Sequence, residues 1–315
     1  ALRSVPLRGT RSRCESAEYK KKDIEMVDRK RIDIYHEHQV QRYSIAAFLE
    51  RSDHESEADY RLSVCMLASG SKGNAIYLSD GRTAILIDAG LSGIEIERRL
   101  KSRGLLPQYL QGIVVSHEHT DHIHGVGVLS RRFNLPVYIN RKTENAAPQL
   151  GNPYDIVHFE CGSTFYINDL RIHPFSLSHD ASDPAGFTIH CNGLKLGIAT
   201  DLGIATSVVK MHLKGCTVLI LEANHDPDML INGPYPWPLK QRIQSRSGHL
   251  SNAASQTLLD ELRHDHLEHV ILAHLSETNN TPQEALHAIE SALVDTQVQV
   301  HVAQQNESGE ILFLR

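Results

Sequence analysis

Short apolar runs separated by small polar loops follow one another along the chain from Arg61 onward. Apolar runs bounded by glycine, asparagine and aspartate predict strands, whereas apolar residues that recur every three or four positions predict amphipathic helices. The predicted strands are Leu62–Leu67, Ala75–Leu78, Thr83–Ile87, Gly112–Val115 and Pro136–Ile139, the predicted helices are Ile94–Arg103 and Gly125–Phe133, further strands fall between about residues 155 and 200, and mixed helix and strand follow. We therefore expect an α/β (α+β) fold of four layers, αββα, with two sheets face to face and helices on both outer faces.

Residues 1–60 differ in composition from the rest of the chain. Lysine and arginine are concentrated in the first half of this segment, and four acidic residues close it. Apolar residues are too sparse to build a core, although Tyr43–Glu50 is compatible with one or two helical turns. We predict a disordered or weakly helical tail over residues 1–60 and a folded domain over residues 61–315. A solvated charged segment is favoured over a contact between the basic residues and nucleic acid.

Composition narrows the classes of function. The chain has 315 residues and a formal net charge of −6, so its overall field does not attract nucleic acid, although bound divalent ions would offset that charge locally. Its five scattered cysteines are typical of reduced thiols rather than of a disulfide framework. Neither a membrane-spanning run nor a secretory signal is present in the sequence, so we expect a cytoplasmic protein with no membrane partner. The oligomeric state stays open.

Three of the 20 histidines lie within six residues, in the segment His117–His122. This segment directly follows the apolar run Gly112–Val115, where a buried strand is expected to end. Strand alternation would point His117 and His119 to the same side, and a turn would bring Asp121 and His122 back toward them. Imidazole nitrogens together with a carboxylate oxygen suit zinc or a similar divalent ion. We predict a metal site here, the alternative being a solvated histidine-rich loop.

Three further donors repeat one arrangement, in which an apolar strand ends at a single polar residue and a turn follows. His179 follows Phe175–Ser178, Asp201 follows Leu196–Thr200, and His274 follows Val270–Ala273. One such residue alone is more typical of an ordinary strand end than of a metal ligand. Several of them beside the histidine segment favour a shared site.

This order of motifs resembles the metallo-β-lactamase-fold hydrolases over about residues 61–315. The resemblance implies two divalent metal ions per chain, zinc or manganese, and a role for each donor. His117, His119 and His179 would bind the first ion, Asp121, His122 and His274 would bind the second, and Asp201 would bridge the two. Asp88, which ends the strand Thr83–Ile87, would orient the histidine segment by hydrogen bonding.

Several further segments are similar to the WalJ/YycJ (VicX) subfamily of these hydrolases. They are Ala68–Asn74, Asp88–Gly93, His179–Pro184, Leu221–Asp226, Gly233–Lys240 and Gly248–Asn252. This resemblance implies 5′→3′ exonuclease activity on double-stranded DNA and an association with the locus of a cell-wall two-component regulator. Such an enzyme would use a hydroxide shared by two metal ions, which also clamp the phosphate oxygens.

The predicted catalytic residues are Asp121, His249 and Glu222. His249 resembles the histidine with which ribonuclease Z-like enzymes stabilise the transition state or assist the leaving group. The alternative is an ordinary residue at a helix start, beside the cap Ser251 or Asn252. Glu222 would orient His249, although a strand-end carboxylate with a local partner fits the same pattern.

The predicted substrate contacts are Ser71, Asn74, Asp183, His225 and Trp237. Small residues around Ser71 and Asn74 let the backbone approach a phosphate, although a plain tight turn fits equally well. Trp237 offers an aromatic face to a DNA base, whereas aromatic residues between prolines more often pack their own loop down. His225 fits a substrate contact, a support of the site or a polar loop.

These features favour a two-metal nuclease that acts on DNA. The alternatives are a metallo-hydrolase of small thioesters or lactones, and a regulatory protein of a cell-wall two-component system. Regulation as the sole role is disfavoured because a buried ligand set is costly to keep unused. RNA processing is disfavoured because no insertion between Asp201 and His274 is large enough to resemble the clamp domain of RNA-processing relatives.

Overall fold

The structure, a computed structural model, describes residues 62–315, which belong to one compact unit. The predicted tail over residues 1–60, with its helical turns at Tyr43–Glu50, lies outside the described residues. Within the described part, no helix is both long enough and apolar enough to cross a membrane.

Two seven-stranded mixed sheets form the centre of the domain. The strands are β1 (Leu62–Ala68), β2 (Ala75–Ser79), β3 (Ala84–Ile87), β4 (Leu110–Val114), β5 (Pro136–Ile139), β6 (Asp155–His158), β7 (Phe165–Ile167), β8 (Leu170–Ser176), β9 (Ala185–Cys191), β10 (Leu194–Ala199), β11 (Val218–Glu222), β12 (His269–Ala273), β13 (Gln299–Val302) and β14 (Leu312–Leu314). The first sheet has the order β14-β1-β2-β3-β4-β5-β6, and the second has the order β13-β12-β11-β10-β9-β8-β7. Strands β3 to β6 are parallel, as are β10 to β13, so their carboxyl ends lie along one edge of each sheet.

The helices are mostly short, and many of them begin at a polar cap. They are α1 (Gly93–Ser102), α2 (Thr120–Ile123), α3 (Val126–Phe133), α4 (Arg141–Ala146), α5 (Ser207–Leu213), α6 (Pro227–Asn232), α7 (Trp237–Ile243), α8 (Asn252–Leu262) and α9 (Pro282–Ile289), with single 3₁₀ turns at Pro107–Tyr109, Pro148–Leu150 and Glu290–Leu293. Ser92, Asn140, Thr206, Asp226, Ser251 and Thr281 each accept a hydrogen bond from a backbone N–H in the first turn that follows. Local sequence therefore determines where these helices start.

Buried apolar side chains form three clusters, one between the sheets and one on the outer face of each sheet. Between the sheets, inward residues of both pack together, among them Leu78, Ile87, Phe187, Ile198 and Ile220. The outer face of the first sheet is covered by α1 and α3, and the outer face of the second is covered by α5, α8 and α9. The order of layers is helix, sheet, sheet and helix, so the predicted αββα architecture is confirmed.

The strands and helices predicted individually agree with the structure to within two residues at each end. The predicted strand alternation around the histidine segment is wrong. Strand β4 ends at Val114, and His119 is the cap residue of the one-turn helix α2. The donors converge because they lie on a loop and a one-turn helix that follow the strand, and not on the strand itself.

Candidate metal centre

The predicted metal ligands lie where strands of both sheets end. In the first sheet, β4 runs into the loop that carries the segment His117–His122. In the second sheet, β8, β10 and β12 run toward His179, Asp201 and His274 respectively. Because the sheets face each other, the side chains meet in overlapping groups whose donor atoms lie within 4.8 Å of one another.

One group consists of His117, His119 and His179. The Nδ1 atom of His119 lies 3.1 Å from Nε2 of His117 and 3.3 Å from Nε2 of His179. Three ring nitrogens that converge in this way fit a metal ion with three histidine ligands.

The second group consists of Asp121, His122 and His274, and Asp201 lies beside it. Oδ2 of Asp201 is 3.3 Å from Nε2 of His122, and Oδ1 is 3.4 Å from Nε2 of His274. Asp201 also groups with His117, which belongs to the first set of donors. Its carboxylate is therefore within reach of donors from both sets.

Hydrogen bonds fix the outward nitrogens of three of these histidines. Nδ1 of His122 lies 2.8 Å from Oδ2 of Asp88, which also accepts from Ser116 Oγ at 2.7 Å. Nδ1 of His179 lies 3.1 Å from the carbonyl oxygen of Gly248. The equivalent atom of His274 is bonded to a buried carboxylate, described below. Such bonds select the tautomer and leave Nε2 facing the cluster.

Three residues of the cluster have a left-handed backbone. The φ angles of Asp88, Asp201 and His274 are 60°, 61° and 56°. Non-glycine residues in such sparsely populated conformations cost about 1–3 kcal/mol each and concentrate at functional sites. The other non-glycine residues with positive φ in the described part are three asparagines and Asp295. Three of the seven non-glycine residues with positive φ in residues 62–315 therefore lie at or beside the point where the donors meet.

The donor set fits a divalent cation. Oδ2 of Asp201 and Nε2 of His274 are buried, and despite the approaches of 3.3 and 3.4 Å given above, neither makes a hydrogen bond of good geometry with a described residue. Leaving such an atom buried and unpaired costs about 1–3 kcal/mol, and a metal ion would satisfy both atoms. Histidine nitrogens combined with carboxylate oxygens are compatible with zinc and with manganese.

The charges in the cluster also favour a bound cation. Burial alone would lower the pKa of His274, but Asp201, Asp121 and Glu222 outweigh burial and raise this pKa to about 10. By contrast, burial holds the pKa of His117 well below its ordinary value, which keeps its ring neutral and able to bind a metal. Closely spaced carboxylates therefore create a field that stabilises positive charge at this position.

Glu222 is fully buried at the end of β11 and links several parts of the site. Its Oε1 lies 2.8 Å from Nδ1 of His249 and 2.9 Å from Nδ1 of His274. Its Oε2 accepts from the backbone N–H groups of Leu202 at 2.9 Å and Leu250 at 3.0 Å. Burial alone would raise the pKa of Glu222, but His249 and His274 lower it to about 2. One carboxylate thus contacts the predicted metal ligand His274, the loop after β10 and His249.

His249 lies at the rim of the cluster. Its ring centre is 5.1 Å from those of His179 and His274, and its side chain is 22% exposed. The predicted cap is also present, since Ser251 accepts from Ala254 N–H at the start of α8. His249 therefore combines contact with Glu222 and access from outside.

Asn74, predicted as a substrate contact, is buried against the candidate ligands. Its Nδ2 lies 3.0 Å from Nε2 of His122 and 3.3 Å from Oδ2 of Asp121, and its Oδ1 accepts from Gly70 N–H at 2.8 Å. Asn74 is buried, and its amide joins its own loop, through Oδ1, to the segment His117–His122, through Nδ2. Ser71, in the same loop, is exposed.

The other predicted substrate contacts are scattered. Asp183 lies 3.5 Å from Nζ of Lys142. His225 is buried, its Nδ1 has no hydrogen-bond partner within residues 62–315, and burial lowers its pKa to about 4. Trp237 is 57% exposed at the start of α7. Among the described residues, the predicted metal ligands lie together, whereas the predicted substrate contacts do not form a second cluster.

Some supporting residues were not expected individually from the sequence. Ser69 Oγ accepts from the N–H of His274 at 2.7 Å, and Asn224 Nδ2 donates to its carbonyl oxygen at 2.8 Å. Gly248 holds His179, as described above. All three lie in segments that carry the subfamily resemblance, which marked their positions without indicating what they contact.

The sequence is similar to those of known proteins. The family model described as Beta-lactamase superfamily domain matches residues 83–302. Exodeoxyribonuclease YycJ of Bacillus anthracis is 40% identical over 231 residues, which cover 72% of this chain and 88% of that protein. Exodeoxyribonuclease WalJ of Streptococcus pneumoniae serotype 2 is 37% identical over 230 residues, which cover 71% and 85%.

Solved structures agree on the architecture. The metallo-β-lactamase fold protein YhfI from Bacillus subtilis superposes with a TM-score of 0.64 at 15% identity, covering 79% of this chain and 99% of that one. Zn(2+)-bound PqqB from Methylobacterium extorquens gives a TM-score of 0.58 at 15% identity, with the same two coverages. At these identities the likeness concerns the fold alone. The chain belongs to the β-lactamase superfamily and has the metallo-β-lactamase fold, which implies that it binds divalent metal.

Proposed function

We propose that this protein is a metal-dependent exodeoxyribonuclease that uses two divalent ions, zinc or manganese, and removes nucleotides from the 5′ end of double-stranded DNA. The observation that carries the proposal is the convergence of seven histidine and aspartate donors from the strand ends of both sheets. The chain also matches two proteins named exodeoxyribonuclease over 88% and 85% of their length. The polarity and the duplex preference come from the subfamily resemblance.

The chain itself supplies the ligands in two sets. His117, His119 and His179 would hold one ion, Asp121, His122 and His274 would hold the other, and Asp201 would contact both. When bound, the ions supply a water of lowered pKa and neutralise charge on the phosphate oxygens. Asp88 and Glu222 keep His122 and His274 in the tautomer that can bind metal.

His249 is the residue best placed to move a proton. The bond between its Nδ1 and Glu222 Oε1 fixes the ring at the rim of the site, and Nε2 is left for the substrate. We propose that His249 transfers a proton to the oxygen that leaves when the phosphodiester bond breaks. Glu222 positions the ring and maintains the adjacent ligand His274.

A substrate panel tests the proposed function. Duplex DNA labelled at the 5′ or the 3′ end, single-stranded DNA, RNA and a small thioester are each incubated with protein loaded with manganese or with zinc. Mononucleotide release first from the 5′ label of the duplex is expected, together with close to two metal equivalents per chain by elemental analysis. Turnover of the thioester without turnover of DNA would instead establish a small-molecule hydrolase.

A further inference from the structure

Arg242 is connected to the metal ligands through one carboxylate. Its Nε and Nη2 atoms each lie 2.6 Å from Oδ2 of Asp180. Oδ1 of Asp180 lies 3.4 Å from Nε2 of His179, the nitrogen that faces the first ligand group. In residues 62–315, no other lysine or arginine is ion-paired with a carboxylate that contacts a candidate metal ligand.

The segment that carries Arg242 is fixed to the site. The carbonyl oxygen of Gly248 accepts from Nδ1 of His179 at 3.1 Å, and that of Arg246 accepts from Ser178 Oγ at 2.8 Å. Gly248 packs so closely that a Cβ atom there would lie 2.2 Å from the carbonyl oxygen of Arg242. The backbone of Arg242 is therefore placed by the same contacts that orient a metal ligand.

The guanidinium retains binding capacity after it contacts Asp180. It has five N–H donors, two of which Asp180 occupies, and the side chain is 61% exposed. A planar guanidinium binds phosphate oxygens well. An exposed ion pair contributes little to stability, so the pair itself is a weak structural reason for an arginine at this position.

We propose, building on the function proposed above, that Arg242 binds a phosphate oxygen of the DNA strand held at the metal centre. Asp180 positions the guanidinium beside His179, so that the backbone phosphate and the reacting bond are held together. A cation at this point also offsets the repulsion between DNA and a chain of net charge −6.

The experiment compares Arg242→Gln with Arg98→Gln. Arg98 is a matched control because its Nε and Nη2 contact Glu95 at 2.8 and 2.7 Å. The side chains of Arg98 and Glu95 are 63% and 30% exposed, and those of Arg242 and Asp180 are 61% and 30% exposed. Hydrolysis of end-labelled duplex DNA is measured between about 50 and 200 mM salt. For Arg242→Gln we expect KM to rise about tenfold, with a smaller change in kcat, and the salt slope of log(kcat/KM) to fall by about one. Arg98→Gln should keep the wild-type values.

A wild-type KM and salt slope for Arg242→Gln, or a fall in kcat alone, would mean that Arg242 only braces α7 and would overturn the inference. Arg242→Lys provides a second test, because lysine keeps the charge but loses the planar fork. We expect the salt slope to return while KM recovers only in part. If the wild-type protein degrades no DNA, the proposed function itself fails, an outcome distinct from an active enzyme with an unaltered Arg242→Gln variant.

Discussion

The two sheets contribute to the site in different ways. The first sheet supplies His117, His119, Asp121 and His122 from six consecutive residues after one strand, β4. The second sheet supplies its donors one at a time, from the ends of separate strands such as β10 and β12. A contiguous ligand set depends on one loop and one helical turn, whereas a dispersed set depends on correct strand order and register.

Both sheets nevertheless orient a candidate histidine ligand in the same way. His122 and His274 are both buried, and each is held at Nδ1 by a buried carboxylate, Asp88 at 2.8 Å and Glu222 at 2.9 Å. The difference is that, within residues 62–315, the Asp88 side chain bonds only to Ser116 and His122 of the ligand loop, while Glu222 also bonds to His249. Through Glu222, the second sheet thus connects the candidate ligand His274 to His249, the residue proposed to transfer a proton.

The largest effect should come from the residue shared by the two donor sets. Asp201→Ala is expected to abolish hydrolysis of DNA and of bis-p-nitrophenyl phosphate, and to lower the metal content, because it removes the carboxylate within reach of both sets. Asp295→Ala is the control, since Asp295 has the same φ of 61° but is exposed and outside the cluster. Retained turnover by Asp201→Ala would contradict the two-metal assignment.

His249→Asn tests the proposed proton transfer, for which the first sheet supplies no residue. We expect kcat on DNA to fall about 10²–10⁴-fold, the usual contribution of a positioned acid or base. The fall should be smaller with bis-p-nitrophenyl phosphate, because its leaving group departs without a proton. His158→Asn is the control, since His158 also pairs with a glutamate, Glu144, at 2.6 Å. Equal losses on both substrates would argue against proton transfer by His249.

The two orienting carboxylates can be compared directly. Asp88→Asn should weaken metal binding about 10–100-fold, as is usual for a group that orients a ligand, and metal titration measures this change. At saturating metal its kcat should largely recover. Glu222→Gln should weaken metal binding to a similar extent but keep a reduced kcat at saturating metal, since His249 loses its partner. Full recovery of both variants would show that the sheets do not differ in this respect.

Deletion of residues 1–58 should have the smallest effect. The three apolar clusters and the candidate metal centre are built from residues within 62–315. The midpoint of thermal unfolding, measured by circular dichroism, is therefore expected to stay near that of the full chain. A large fall would show that the tail contributes to the fold.

The fold class and the convergence of the candidate ligands were predictable because their signals are local. Apolar runs mark β3, β4, β10 and β12, and a single donor or donor segment follows β4 and β12 closely. Asn74 was less predictable, because nothing in a loop of small residues indicates that its amide is bonded to His122 and Asp121. The contacts of Asn74 depend on how close its loop lies to the segment His117–His122, and only the structure gives that distance.

The sequence alone determined the four-layer architecture and the chemical identity of the donors, since strand length, cap residues and ligand type are properties of short segments. Only the tertiary structure decided which donors share a point in space and which groups orient them. Glu222 contacts residues 20 to 52 positions away along the chain, and Arg242 reaches Asp180 across 62 positions. Contacts at such separations follow from the pairing and facing of two sheets, which no local pattern of residues specifies.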